Sequence, residues 1–270
     1  MRRAWIVAAA FLACVIAGGI ALFLALQSVI GSGPAGSRSS SAGPVVPDTA
    51  AYITLTLDSR TASIGMYWLD DQDRGLRSIQ RLRSYVEHTG DRLRFAMNGG
   101  MFRKDHSPVG LFIQHGRVLS PLDTSSGPGN FYLKPNGVFL VRKDHTAAIV
   151  TTDRFEYLSN IDFATQSGPM LLIDGAIHPV FVKGSEHLNV RNGVGVRDDG
   201  AVIFAMSRDK VSLYDFASYF KALGCRNALY LDGFVSRCYC PEKNCTQLDG
   251  DFGVMIGITE KDAKARPALE

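Results

Sequence analysis

The sequence predicts a single α+β domain, built on antiparallel or mixed sheet with a few helices and preceded by an N-terminal transmembrane helix. Three observations carry this reading. Short β-branched and apolar runs recur along the chain with glycine turns between them, the pattern of hairpin-rich sheet. Only two segments have the spacing of an amphipathic helix. Ahead of both, 23 consecutive residues from Ala4 to Leu26 carry no polar side chain.

That first run would form a helix of about 35 Å, enough to cross about 30 Å of hydrocarbon. Arg2 and Arg3 precede it, so the positive-inside rule keeps residues 1–3 in the cytoplasm and exports the remainder of the chain. A cleaved signal peptide is the alternative, but its apolar region is usually about 7–15 residues long and ends at a small-x-small site. Leu26-Gln27-Ser28-Val29-Ile30 offers no clear site of that kind. The expected location is the membrane, with the domain in the periplasm or outside the cell, and free export if the segment is removed. Residues 27–47 are mostly Gly, Ser and Pro and read as a flexible tether. The domain then spans 48–260, and 261–270 form a tail.

Composition excludes one large class of function. The net charge is +3, and Arg2, Arg3 and Arg38 account for all of it. From residue 45 onward, 26 Lys and Arg face 26 Asp and Glu. A nucleic-acid binder needs a concentrated basic face, so nucleic acid is not an expected partner. Cysteine usage fits export. Cys14 lies in the membrane segment, which leaves Cys225, Cys238, Cys240 and Cys245 in the domain. A zinc knuckle needs paired C-x-x-C spacing or nearby histidines, and CYCPEKNC has neither. A disulfide is the expectation in an oxidising compartment, most naturally Cys240–Cys245 across the turn-like Pro-Glu-Lys-Asn.

Along the domain, Tyr52 to Leu57 alternates and reads as an opening strand. Leu76 to Val86 places apolar residues at 76, 79, 82 and 86, an amphipathic helix. Leu93 to Met97 is a strand running into Asn98-Gly99-Gly100. Hairpins are expected at His115-Gly116, at Asn136-Gly137 between FYLK and VFLVRK, and at Asp198-Asp199-Gly200. Ser212 with Asp215 opens a helix over 213–223, and Gly224 stops it. Asn227 to Leu231 and Phe252 to Ile258 are apolar strands.

Four clusters interrupt these strands with polar residues and glycines: Met97-Asn98-Gly99-Gly100-Met101-Phe102, Gln166-Ser167-Gly168-Pro169-Met170, Arg191-Asn192-Gly193-Val194-Gly195, and Leu231-Asp232-Gly233 with Ser236. Each taken alone reads as a turn. Together they place polar side chains at strand ends where glycine admits a ligand or another backbone. The usual catalytic signatures are missing from the sequence: G-x-S-x-G, H-E-x-x-H, the phosphate-binding Walker loop, and G-x-G-x-x-G after a strand. The six histidines show no ligand pairing, and Asp70-Asp71-Gln72-Asp73 lacks the glutamate that completes a calcium loop. The sequence calls for no cofactor and no metal ligand set, and leaves a divalent cation open.

Taken in order, NGGMF, QSGPMLLIDG, RNGVGV with its following DG turn, and the helix leading to GCRNALYLDG resemble the phosphodiester glycosidase family over about residues 50–258. The resemblance implies hydrolysis of a sugar-1-phosphodiester at the glycosidic bond, leaving a phosphate monoester and a free sugar. It is nearest to an exported bacterial branch. The family's last motif usually runs L-D-G-G-G-S-S, whereas this chain has Leu231-Asp232-Gly233-Phe234-Val235-Ser236-Arg237, a bulkier and stiffer loop. Chemistry of this kind needs charge stabilisation at phosphate, and a carboxylate for the developing oxocarbenium ion or an attacking water. The expected catalytic residues are Asp232, Arg191 and Asn98, with Arg191 forking onto phosphate. Asn192, Ser167, Gly168, Gly99, Ser236 and Gly233 are the expected substrate-binding residues. Asp174 is a second carboxylate, though Ile173-Asp174-Gly175 reads more naturally as a hairpin turn. The expected partners are a carbohydrate phosphodiester and, through the N-terminal helix, the membrane. Two alternatives stand beside this reading: a cell-envelope glycan-binding module without turnover, and a metal-dependent phosphodiesterase.

Overall fold

The computed structural model describes residues 49–261. The expected membrane segment, the tether and almost all of the tail lie outside the described residues. Within them, no helix is long and apolar enough to cross a membrane.

The chain opens with β1 (Tyr52–Asp58), β2 (Ser63–Tyr67), α1 (Ile79–His88), β3 (Asp91–Gly100), β4 (Phe112–Gln114) and β5 (Arg117–Ser120). It continues through β6 (Gly137–Arg142), β7 (Ala147–Thr151), β8 (Ile161–Ser167), β9 (Met170–Ile173) and β10 (Ala176–Ile177). The last part holds β11 (Asn192–Arg197), β12 (Ala201–Ser207), α2 (Leu213–Ala222), β13 (Cys225–Asp232), β14 (Cys238–Cys240), β15 (Cys245–Thr246) and β16 (Val254–Lys261). The strands form three sheets, ordered β1-β12-β11-β13-β9-β10, β15-β14-β3-β16-β2 and β5-β4-β8-β6-β7. Every ladder is antiparallel. The α+β class stands, as mostly antiparallel sheet with two helices.

The three sheets share one core, and side-chain alternation shows how. On β12, Val202, Phe204 and Met206 face the shared core, while Ile203 and Ala205 face the cluster under α2. β3 sends Phe95 and Met97 to the shared core, and Leu93 and Ala96 under α1. β6 sends Phe139 and Val141 inward, and Val138 and Leu140 to a smaller outer cluster. Both faces of β6 and β12 are buried, so these two read as nearly unbroken apolar runs instead of alternating apolar with polar residues. The sheets meet at Phe204, whose ring lies 5.5 Å from Phe95 and 5.9 Å from Phe139 between centroids.

Both helices of the domain form. α2 matches its expected bounds within the usual end uncertainty, while α1 starts at Ile79 and not at Leu76, because Arg77 at φ 65° is outside helical geometry and Ser78 is the cap. Ser78 caps α1 by accepting from the Arg81 N–H at 3.3 Å. Ser212 caps α2 by accepting from the Asp215 N–H at 3.0 Å, and Gly224 follows at φ 79°. The His115-Gly116 and Asp198-Asp199-Gly200 turns connect β4 to β5 and β11 to β12. Asp174 and Gly175, at φ 48° and 81°, turn the short β9–β10 hairpin.

Asn136-Gly137 does not turn a hairpin. Asn130–Tyr132 form a 3₁₀ turn, and β6, which starts at Gly137, pairs with β7 and β8. Pro135 has no N–H to give a ladder. The Asn136 amide is buried and donates to the Phe131 carbonyl at 3.0 Å, so the dipeptide anchors a loop. The expected Cys240–Cys245 disulfide is not formed either; all four domain cysteines are free and buried. Cys240 and Cys245 do face each other in register across β14 and β15, but the Cys245 thiol turns to the Cys238 carbonyl at 3.0 Å.

Candidate active site

Four of the glycine-flanked clusters arrive at one end of the fold. Asn98–Gly100 end β3, Ser167 ends β8, Asn192 begins β11 beside Arg191, and Asp232 ends β13. Asn192 pairs with Asp232 in register, which sets the ends of β11 and β13 side by side.

A buried clasp holds these ends together. The Asn192 amide donates to the Asn98 carbonyl at 2.7 Å and to its side-chain oxygen at 3.0 Å. The Asn192 side-chain oxygen accepts the Asp232 N–H at 2.9 Å. The Asn98 side-chain oxygen also accepts the Arg237 N–H at 3.0 Å, so two donors fix the orientation of that amide. Its Nδ2 is buried and has no hydrogen-bond partner among the described residues. Ser167 Oγ donates to the Leu231 carbonyl at 2.7 Å. Ser236 Oγ donates to the carbonyls of Asp232, at 2.9 Å, and Val190, at 3.2 Å. The hydroxyls expected to meet a substrate therefore hold the backbone on either side of Asp232. Gly99 and Gly168 are tight-packing positions, where a Cβ would come within 2.7 Å of Ile256 and of Asn136, respectively. Gly233 is tighter still, because a Cβ there would lie 1.7 Å from the Tyr230 hydroxyl.

Asp232 opens onto a cleft of about 520 Å³, together with Phe102, Arg103, Lys104, Tyr132 and Phe234. Its carboxyl is pushed up from 3.8 to about 6 by burial, against the backbone N–H groups of Phe234 and Gly233, which pull it down. The Phe234 N–H donates to its Oδ1 at 2.9 Å.

Arg191 is placed differently from the expectation. Its guanidinium is buried and donates to the carbonyls of Val211 and His187, each at 2.7 Å, and to the Tyr230 hydroxyl at 3.3 Å. It lies over the Tyr230 ring and lines a second cleft, of about 420 Å³, with Asn130, Phe181 and Tyr214. Asp232 and Arg191 thus open onto two different clefts, with Tyr230 between them. Asp174 stands away from this site, in ion pairs with Arg226 and Arg154.

Several residues of the cleft carry no signal in the strand pattern. Arg103 and Lys104 sit on an ordered loop after NGGMF. The loop is closed by Arg103 N to Ser107 O at 2.8 Å, Val109 N to Met101 O at 2.9 Å, and the Arg103 guanidinium on the Pro108 carbonyl. Asp123 accepts the Tyr132 hydroxyl at 3.1 Å and the Ser125 hydroxyl and N–H. Burial pushes its carboxyl up, but these hydrogen bonds and nearby Arg103 outweigh burial and hold it below the usual carboxylate range. Two carboxyls near one cleft, one raised and one lowered, are the arrangement acid–base chemistry uses. Among the described residues, no group of three or more His, Cys, Asp or Glu side chains is placed to hold a metal ion.

Known proteins resemble this chain along most of its length. Residues 91–249 match the phosphodiester glycosidase family. The Escherichia coli (strain K12) protein YigE, described as uncharacterized, is 37% identical over 214 residues, covering 79% of this chain and 84% of that protein. Among solved structures, the catalytic domain of zebrafish N-acetylglucosamine-1-phosphodiester alpha-N-acetylglucosaminidase, auto-inhibited by its pro-peptide, superimposes with a TM-score of 0.52 at 14% identity. It covers 78% of this chain and 88% of that one. A protein of Burkholderia pseudomallei gives a TM-score of 0.50 at 13% identity, covering 77% of this chain and 73% of that one. At these identities the structural likeness speaks for the fold alone. The family match spans the strand ends that carry Asn98, Ser167, Asn192 and Asp232, and with it the chain belongs to the phosphodiester glycosidase family.

Proposed function

We propose that this chain is an exported, membrane-anchored hydrolase that cleaves the glycosidic bond of a sugar-1-phosphodiester. The observation that carries the reading is Asp232, a carboxyl at the mouth of a cleft whose burial pushes it up to about 6. A group with that value changes protonation near neutral pH, where a general base or an ionic stabiliser works best. Export rests on the Ala4–Leu26 apolar run with its arginine flank.

In the reaction, water's oxygen bonds to the sugar C1 as the C1–O bond to phosphate breaks. The bonding pair leaves on the phosphate oxygen, giving a phosphate monoester and a free sugar. A phosphate is already a good leaving group, so the protein's work is at C1. Ionised Asp232 stabilises the positive charge developing there, or takes the proton of the attacking water. Asn98, Asn192, Ser167 and Ser236 act by holding the backbone around Asp232, and Arg191 by anchoring Tyr230 behind it.

One observation favours a second reading, a glycan-binding module without turnover: Asp232 is the single carboxylate in the lining of its cleft. Product analysis on sugar-1-phosphodiesters decides between them. A phosphate monoester and a free sugar, formed equally with and without chelator, are the expected result. Binding without products leaves the module reading. Products that disappear with chelator, or a sugar phosphate in place of free sugar, point to metal-dependent cleavage at phosphorus.

A further inference from the structure

Phe234 is 95% exposed, although its own N–H is fixed on Asp232. A bare phenyl ring in water is unfavourable relative to burial. This one stands at the cleft that holds the reactive carboxyl, with Phe102, Phe131 and Tyr132 also in the lining. The charged groups of that lining are Asp232, Arg103 and Lys104. Asp105 and Asp123 lie close enough to Arg103 to be lowered by it, so Arg103 is partly balanced by them. Neutral hydrogen-bonding side chains are scarce: the Tyr132 hydroxyl is in the lining, and it already donates to Asp123. A cleft made for sugars on both sides of the phosphate would need many more such groups, because each hydroxyl left unpaired on burial is costly.

We propose that the alcohol on the far side of the phosphate is apolar, an aryl or alkyl group seated against Phe234 and its neighbouring rings, with the phosphate held by Arg103 and Lys104. The inference deepens the glycosidase reading and rests on it for the position of the reacting C1 at Asp232. The Arg103–Lys104 loop is closed by its own hydrogen bonds and the Arg103 guanidinium rests on the Pro108 carbonyl, so Arg103 is positioned before the ligand arrives.

The test uses full-length protein and the methyl, butyl and benzyl diesters of N-acetylglucosamine 1-phosphate. KM is expected to fall about tenfold from methyl to the better of the two apolar esters. Whether butyl or benzyl is better tells an alkyl from an aromatic partner. Phe234→Ala shrinks that ratio toward one, while Arg103→Gln combined with Lys104→Gln raises KM for all three esters alike. In a second arm, calorimetry compares benzyl phosphate and butyl phosphate with inorganic phosphate, with no need for turnover. Turnover with equal KM across the esters overturns this proposal and leaves the glycosidase reading standing. No turnover, but tighter binding of an apolar phosphate that Phe234→Ala abolishes, keeps the apolar phosphate seat at Phe234 and removes the glycosidase reading together with the substrate assigned from it. No turnover and equal affinity for all three phosphates overturns both.

Discussion

Asn192 donates one amide to both oxygens of Asn98, the carbonyl at 2.7 Å and the side chain at 3.0 Å. The two residues belong to different sheets, so the contact ties the end of β11 to the end of β3 in a buried interior where water cannot substitute for a lost partner. The same Asn192 receives the Asp232 N–H. The position of the reactive carboxyl therefore depends on an amide that both donates and accepts.

Replacing that amide by a carboxylate sets like against like. In Asn192→Asp an oxygen faces two oxygens with no proton between them, in a fully buried site. The expected loss is about 2–4 kcal/mol of stability, read as a lower urea midpoint with an unchanged m-value. Asn192→Ala, which removes the clash along with the bonds, is expected to be milder. The reverse order would show that the clasp does not set the site.

Asp232→Asn separates chemistry from stability. The folded protein holds the Asp232 proton more tightly than the unfolded chain does, since burial raises the carboxyl from 3.8 to about 6. Stability is therefore lost as pH rises through that window, by up to about 3 kcal/mol once the group is ionised. Asparagine keeps an oxygen for the Phe234 N–H and never ionises. The variant is expected to unfold at a higher temperature than the parent at pH 7, with the gain vanishing near pH 4, while kcat drops by about a hundredfold or more. In the parent, kcat/KM rises with pH through about 6, and in the variant it is flat. A variant both less stable at pH 7 and fully active would remove Asp232 from the mechanism.

Arg191→Lys tests a buried cation whose fork grips main-chain carbonyls. Lysine reaches one of Val211 O and His187 O and leaves the other unpaired, at about 1–3 kcal/mol. The expected outcome is a lower melting temperature with KM for phosphodiesters changed less than by the Arg103 and Lys104 substitutions. A large KM effect at unchanged stability would return Arg191 to the phosphate.

The thiols of Cys238, Cys240 and Cys245 lie together on β14 and β15, where Cys240 and Cys245 are paired in register. The Cys238 thiol donates to Cys245 and holds the Cys245 thiol below the ordinary cysteine range, while burial pushes Cys240 up to about 11. The thiolate is the reactive form. Mild oxidation is expected to give one bridge that includes Cys245, identified by peptide mass after alkylation of the remaining thiols, and none in Cys245→Ser. A bridge formed without Cys245 would contradict this order of reactivity.

Much of the scaffold is legible from the chain, because its signals are local. Ser212 caps a helix through a bond three residues long, and His115-Gly116 and Asp199-Gly200 turn strands through their own dihedrals, whereas the Ser78 cap is hidden behind the apolar spacing that begins at Leu76. Asn136-Gly137 carries the same kind of signal and fails, since the Asn136 amide finds a partner in the Phe131 carbonyl and Pro135 keeps the preceding segment out of a ladder. The meeting of three sheets at Phe204 is illegible, because strands buried on both faces leave no periodic trace of which face meets which sheet. In the site, Asp232 and Asn98 stand out as polar groups ending apolar strands. Arg103, Lys104 and Asp123 lie on loops, where the residue types are common and only the folded chain brings them to a cleft. At Arg191 the residue type fits two roles, since a guanidinium serves a row of carbonyls as well as it serves a phosphate.

The order of strands in the second sheet also bears on when this protein can begin to fold. Among the described residues β16 is the last strand in sequence, yet it is an inner strand, with β3 on one side and β2 on the other. Until Val254–Lys261 leave the ribosome, β2 and β3 have no common neighbour, and the shared core lacks Val254, Ile256 and Ile258. A nascent chain still missing its C-terminal strand is thus held back from early closure by topology alone.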